Sequence, residues 1–296
     1  MNLPLLEAAR HEVLLADGAM GTELLRRGLG PGGFGEAWNL ESPEVVGSVH
    51  SAYCAAGARL LTTNSFRANR FTLANHHLDK RTVEINRRAA QIAVQAADGH
   101  AWVLGSMGPF GGFLEPLGNT STGEALSFFA EQARALLDGG ADGIVVETMT
   151  AVDECVAAIR AARNAGSPVV ASLMTFGRSK NGFRTMMGVT PQQAVTAMID
   201  AGADIVGSNC GEGLSMDDYA DLVRTLRSLT SKPIAIRPNA GRPDLVGTDV
   251  QYRQTPESMA SQVRDLIRAG ANIIGGCCGT TPGHIRLFGQ AMEHHS

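Results

Sequence analysis

Ala201-Gly202-Ala203-Asp204-Ile205-Val206-Gly207 is the stretch that decides the fold. It closes an amphipathic segment, turns on a glycine suited to the left-handed end of a helix, and enters a short unbroken apolar run. The same pattern returns at Ala56-Gly57-Ala58, Gly139-Gly140-Ala141-Asp142 and Ala269-Gly270-Ala271-Asn272. Working outward, apolar runs fall at 13–16, 59–63, 102–105, 143–146, 168–173, 204–207, 233–236 and 272–274. They are continuous rather than alternating, as expected of strands buried on both faces of a parallel sheet. Between them, helical periodicity predicts helices over 43–56, 81–97, 123–137, 152–164, 191–201, 216–229, 256–269 and 282–292. Pro43, Pro191, Pro256 and Pro282 each stand where a helix opens, a position at which the missing N–H costs nothing. Strand and helix alternating eight times, with no break in composition, predict an α/β protein: a single (β/α)8 TIM barrel spanning 1–296. The alternative, an open doubly wound sheet, lacks its Gly-x-Gly-x-x-Gly turn after the first run.

Composition narrows the partners. With 44% hydrophobic and 18% charged residues the chain has the make-up of an ordinary globular protein. A net charge of −4 and no long basic run argue against nucleic acid. No apolar run is long enough to span a membrane, and the first ten residues lack the cationic-then-apolar order of a secretory signal. Five scattered cysteines suit a reducing compartment, the cytoplasm, with sulfur serving as ligand or core filler rather than as staples.

In a barrel of this kind functional groups collect where the strands end. The ends carry Asp17-Gly18-Ala19-Met20-Gly21-Thr22, Thr63-Asn64-Ser65-Phe66, Ser106-Met107-Gly108-Pro109, Glu147-Thr148, Asn209-Cys210, Arg237-Pro238-Asn239-Ala240-Gly241 and Gly275-Gly276-Cys277-Cys278. Adjacent cysteines make a poor disulfide, but Cys277 and Cys278 can act as paired thiolate ligands once a third, Cys210, joins them. Three thiolates favour zinc, and an open fourth position makes such a site catalytic. The competing interpretation is that all three are small buried hydrophobes, as Cys54 and Cys155 in helical stretches are expected to be. Asp17 and Glu147 are either caps and loop acceptors or partners for a substrate ammonium group. Backbone N–H groups at Gly18 and Ala19 could meet a carboxylate. Asn239 is either a turn residue or a neutral fourth ligand. Among the histidines only His284 is near the cluster, and its position a turn into the last helix makes it a helix-face residue.

Asp17-Gly18-Ala19-Met20-Gly21-Thr22, Thr62-Thr63-Asn64-Ser65-Phe66, the single Cys210, and Gly275-Gly276-Cys277-Cys278-Gly279-Thr280-Thr281-Pro282 resemble the zinc-dependent homocysteine S-methyltransferase family. The likeness extends to the homocysteine-binding barrel of cobalamin-dependent methionine synthase, through Met174-Thr175-Phe176 and Pro238-Asn239-Ala240-Gly241, and covers roughly Val13 to Phe288. The resemblance implies that Cys210, Cys277 and Cys278 hold Zn2+, with Asn239 in the fourth position until a substrate thiol takes it. It implies that Asp17 and Glu147 receive the amino group of homocysteine, and that Gly18, Ala19 and Thr63 hold its carboxylate. The chain stops about a helix after Cys278, so the donor is expected in trans, first from a methylated corrinoid (cobalamin) protein.

Betaine or another methyl-onium compound is the alternative donor, although that chemistry needs an aromatic cage. Aromatic residues are only 5% of the chain, and Arg67 follows Phe66 where a tyrosine would help; Phe34, in the loop Gly30-Pro31-Gly32-Gly33-Phe34-Gly35, could still contribute. The basic loop at 177–184 reads as a solvated loop or as a docking edge for the corrinoid protein. From other classes come a barrel that binds small molecules or anions at the glycines before the last helix, and a non-catalytic subunit presenting thiol to a larger complex.

Overall fold

The computed structural model describes residues 4–30, 32–211, 213–246 and 249–293, so Pro31 of the Phe34 loop lies outside the described residues. Eight parallel strands form the central sheet: β1 (Leu14–Leu15), β2 (Leu60–Thr62), β3 (Trp102–Met107), β4 (Gly143–Met149), β5 (Val170–Met174), β6 (Ile205–Asn209), β7 (Ile234–Arg237) and β8 (Ile273–Ile274). Each pairs with its sequence neighbour, β8 returns to β1 through Leu14 and Ile273, and the bridge between Ala16 and Leu60 joins β1 to β2. The sheet is thereby closed into the expected barrel.

Outside it run α1 (Pro43–Ala55), α2 (Thr82–Ala97), α3 (Thr122–Asp138), α4 (Val152–Asn164), α5 (Pro191–Ala201), α6 (Met216–Leu229), α7 (Pro256–Ala260), α8 (Val263–Ala269) and α9 (Pro282–Glu293). The segment read as one helix over 256–269 is two, because the chain tightens at Ser261 and Gln262. There Gln262 N–H donates to the Met259 carbonyl three residues back, and Asp265 N–H does the same to Gln262. All four prolines open helices, and the repeated glycines turn back as expected, with φ of 109° at Gly202 and 106° at Gly270.

Strand side chains alternate between two cores. One faces the helices and includes Leu61, Val103, Ile144, Val206 and Ile236. The other fills the barrel with Leu14, Ala16, Leu60, Leu104, Val145, Leu173, Ile205, Ala235 and Ile273. A helix at Leu5–His11, which the periodicity did not reveal, lays Leu5, Ala8 and Ala9 against that inner core, and Asn272 Nδ2 donates to the Ala9 carbonyl. The inner end is thus sealed by that helix, and polar groups are left for the C-terminal mouth.

Two hairpins were also unread. Gly177–Ser179 pairs with Gly182–Arg184 after β5, and Pro243–Val246 pairs with Asp249–Tyr252 after β7. In the first, Arg178 is ion-paired to Asp218 and Asp221 of α6, so part of the basic character of that loop is neutralised within the chain. No described helix is long and apolar enough to cross a membrane.

Candidate metal centre

The ends of β6, β7 and β8 bring Cys210, Cys277, Cys278 and Asn239 to one place. The three sulfurs lie within 4.8 Å of one another, and Cys210 Sγ is 3.9 Å from Cys278 Sγ. Tetrahedral zinc with bonds of about 2.3 Å sets sulfurs roughly 3.8 Å apart, so the donors need little adjustment to hold such an ion. Backbone bonds lock the arrangement: Cys277 N–H donates to the Pro238 carbonyl at 2.8 Å, and Ala240 N–H to the Cys278 carbonyl at 2.9 Å. Hydrogen bonds with Cys210 and Cys277 push the pKa of the Cys278 thiol down to about 3, whereas hydrogen bonds with Cys210 and Cys278, together with burial, push that of Cys277 well up. The cluster thus gathers one thiolate's worth of negative charge on Cys278, which suits a cation.

Asn239 stands beside the sulfurs. Asn239 Oδ1 is buried with no hydrogen-bond partner among the described residues, and its side chain faces Cys210. An orphaned buried carbonyl oxygen costs on the order of 1–3 kcal/mol, a cost that coordination would remove. Zinc therefore fits the residues present.

Backbone strain concentrates here. Cys210 has φ of 52° and Thr148, β-branched, has φ of 63°. Such values in non-glycine residues persist only where the surroundings impose them. Asn209 imposes the second: its Oδ1 accepts from Thr148 N–H at 2.9 Å and its Nδ2 donates to Thr148 Oγ1 at 2.8 Å. Tyr219 secures the turn after Cys210, accepting from Gly211 N–H at 2.7 Å.

Beside the sulfurs lies a buried charge cluster. Arg237 Nη2 donates to Asp17 Oδ1 at 2.5 Å, and its Nη1 is 3.9 Å from Glu147 Oε2. Thr62 donates to Asp17 through its backbone N–H at 2.7 Å and through its hydroxyl at 3.1 Å. Glu147 accepts from Ser106 Oγ at 2.6 Å and from Asn209 Nδ2 at 3.2 Å. Burial pushes the Asp17 carboxyl up to about 6, with the Arg237 guanidinium and Thr62 opposing it. Asn209 touches both clusters, since its Nδ2 is also 3.8 Å from Cys277 Sγ.

The sequence profile of the family described as "Homocysteine S-methyltransferase" matches residues 14–292. The chain belongs to the homocysteine S-methyltransferase family. Within that family's matched region the barrel mouth carries a three-cysteine site whose donor set suits zinc. It is similar to the methionine synthases of Mycobacterium tuberculosis and Mycobacterium leprae, at 32% identity in each case, over 98% and 97% of this chain. The chain spans about a quarter of the length of these curated relatives, the matched region being 25% of each. Among solved structures, the homocysteine methyltransferase MmuM from Escherichia coli superposes in its metallated form with a TM-score of 0.78 at 24% identity, covering 97% of both chains. Its oxidized form superposes equally well, at 25% identity over 98% and 99%. The carboxyl transferase domain of Rhizobium etli pyruvate carboxylase, with a TM-score of 0.56 and 14% identity, shares the barrel fold alone.

In this member of the S-methyltransferase family the remaining expected site residues take varied positions. Gly18 N–H has no partner among the described residues, but Ala19 N–H donates to Thr280 Oγ1 at 3.1 Å. Thr63 Oγ1 accepts from Ser106 N–H and gives its proton to Ser65 Oγ, whose own proton goes to the Ser106 carbonyl. Its hydroxyl thus faces a newcomer as an acceptor. Thr280 clasps the two loops together, because it also donates to the Cys277 carbonyl at 2.7 Å, and Gly276 beneath it has no room for a Cβ, which would lie 2.3 Å from Oγ1. His284 is more than a helix-face residue: it completes a cap for α9, its Nδ1 accepting from Thr281 N–H while Nε2 donates to the Gln254 carbonyl.

Arg237 is the functional residue that sequence reasoning left without a role. The signal was available, since a cation ending the apolar run of β7 must be buried and must therefore find carboxylates.

Proposed function

We propose that this chain transfers a methyl group to the thiol of homocysteine, giving methionine, and that the methyl arrives on a separate corrinoid protein. The observation that carries the acceptor half is the meeting, at one barrel mouth, of three convergent thiols with the Asp17–Glu147–Arg237 cluster. The first suits a soft metal and a thiol, the second the ammonium group of an amino acid. Cys210, Cys277 and Cys278 would hold zinc, with Asn239 as the neutral donor of the fourth position. Bound zinc supplies a Lewis acid that favours the thiolate form of a substrate thiol near neutral pH, where a free thiol is mostly protonated. The chain's own groups then orient the acceptor. Asp17, Glu147 and Arg237 together form a wall of net negative charge that draws the ammonium. The turn at Gly18 and Ala19 receives the carboxylate through Gly18 N–H, the donor left free there, while Thr63 borders it without a proton to give. Three thiols kept for a metal support the reading of a reducing compartment, the cytoplasm.

Support for a protein-borne donor comes from the rim. Phe34 is stacked on His76 with ring centroids 4.1 Å apart, and the Arg67 guanidinium already lies 5.0 Å over its ring, where an onium group would sit. Phe113 and Leu117 are exposed on the loop that follows β3, and Met186 and Met187 on the one that follows β5, apolar groups suited to a macromolecular donor. An onium donor is the second reading, favoured by Tyr252, whose ring packs on Gly279 beside Cys278. Zinc-loaded protein should be assayed with homocysteine and, in turn, methylcobalamin, betaine and a methylsulfonium compound. Methionine formed with release of cob(I)alamin, the cobalt keeping both electrons of the broken bond, is the expected result. Transfer from the onium compounds alone would replace the donor assignment, and no transfer from any donor would overturn the acceptor assignment.

A further inference from the structure

Asp17 and Glu147 are not equivalent. The Asp17 side chain is 2% exposed, and both its oxygens are engaged, Oδ1 by Arg237 Nη2 and Oδ2 by Thr62 N–H, with the Thr62 hydroxyl 3.1 Å from each. A carboxylate so supplied has little acceptor capacity left. Glu147 is 11% exposed and holds one neutral donor on each oxygen, Ser106 Oγ on Oε1 and Asn209 Nδ2 on Oε2. Arg237 makes the difference. Its Nε donates to the Gly276 carbonyl at 3.2 Å and its Nη2 to both the carbonyl and the carboxylate of Asp17. Its Nη1 reaches only the Thr62 hydroxyl, at 3.4 Å, and stops 3.9 Å short of Glu147. Two carboxylates and one guanidinium leave one negative charge, the complement of one ammonium group.

We propose that Arg237 is a positioning residue of the acceptor site, one that spends itself on Asp17 and so leaves Glu147 as the carboxylate that meets the substrate ammonium. This rests on homocysteine being the acceptor. It departs from an arrangement in which both carboxylates hold the amino group. It also makes Asp17 necessary for a second-hand reason: without it, the freed guanidinium would turn to Glu147, the next anion within reach.

The test compares binding of homocysteine with that of 4-mercaptobutanoate, the same thiol acid without the amino group, to the zinc-loaded full chain. The unmutated protein should favour homocysteine about 100-fold, the worth of one charged hydrogen bond in a buried site. Glu147→Gln should bring the ratio to about 1. Asp17→Asn should lower it at least about tenfold, and adding Arg237→Gln to Asp17→Asn should restore it to within about threefold of the starting value. A double variant no more selective than Asp17→Asn would overturn the proposal, since Asp17 would then touch the ammonium itself. Should Asp17→Asn fail to fold, Glu147→Gln decides alone, because it leaves the buried Asp17–Arg237 pair intact. Retention of more than about half the discrimination in that variant refutes the assignment. Failure of the underlying reading looks different: the unmutated, zinc-loaded chain would show no preference for homocysteine at all.

Discussion

At the scale of single residues, the three cysteines were legible because so few exist and three fall at strand ends. Their convergence within 4.8 Å follows from the barrel, which sets the ends of β6 and β8 on one mouth. Purified without chelator, the protein should hold about one zinc per chain, and Cys210→Ser should retain less than about a tenth of that. Cys54→Ser, which alters a half-buried helical thiol bonded to the Ala96 carbonyl, should keep its metal. Metal analysis decides between them, and equal zinc in both variants would remove Cys210 from the site. Other residues gave no such signal. Nothing marks Thr148 or Cys210 in the sequence as left-handed, because the strain is imposed by Asn209 and by neighbouring loops. Arg237 was visible as a cation at a strand end, but its preference for Asp17 over Glu147 depends on distances that only the folded chain defines.

At the scale of elements, the eight strands and the long helices were readable, since each has a strong period and most have a proline or glycine at an end. The helix at Leu5–His11 and the two hairpins were not. A helix of seven residues is unstable by itself and exists only because Leu5, Ala8 and Ala9 seal the inner core. One helix also carries an unread titration. His50, on α1, is fully buried with neither ring nitrogen partnered among the described residues, and burial pushes its pKa down to about 4 from 6.5. Between those values the unfolded chain takes up a proton that the folded chain refuses, so stability falls as the pH drops. The loss between pH 7 and pH 5 is about 2 kcal/mol. Urea unfolding of the wild type and of His50→Leu at both pH values should show the wild type losing about that much more than the variant. Parallel losses in the two proteins would mean that His50 is not held neutral by burial.

At the scale of the whole molecule, the barrel separates stability from chemistry. Its inner end is sealed by hydrocarbon, and its mouth gathers sulfur, carboxylate and guanidinium from β1, β4, β6, β7 and β8. The central claim is that three sulfurs and Asn239 surround one metal position that a guest thiol can enter. X-ray absorption at the zinc edge, recorded with and without homocysteine, tests it most directly. Zinc should have three sulfur neighbours and one nitrogen or oxygen before homocysteine is added, and four sulfur neighbours after. A zinc shell that already contains four sulfurs, or one that homocysteine leaves unchanged, would contradict it.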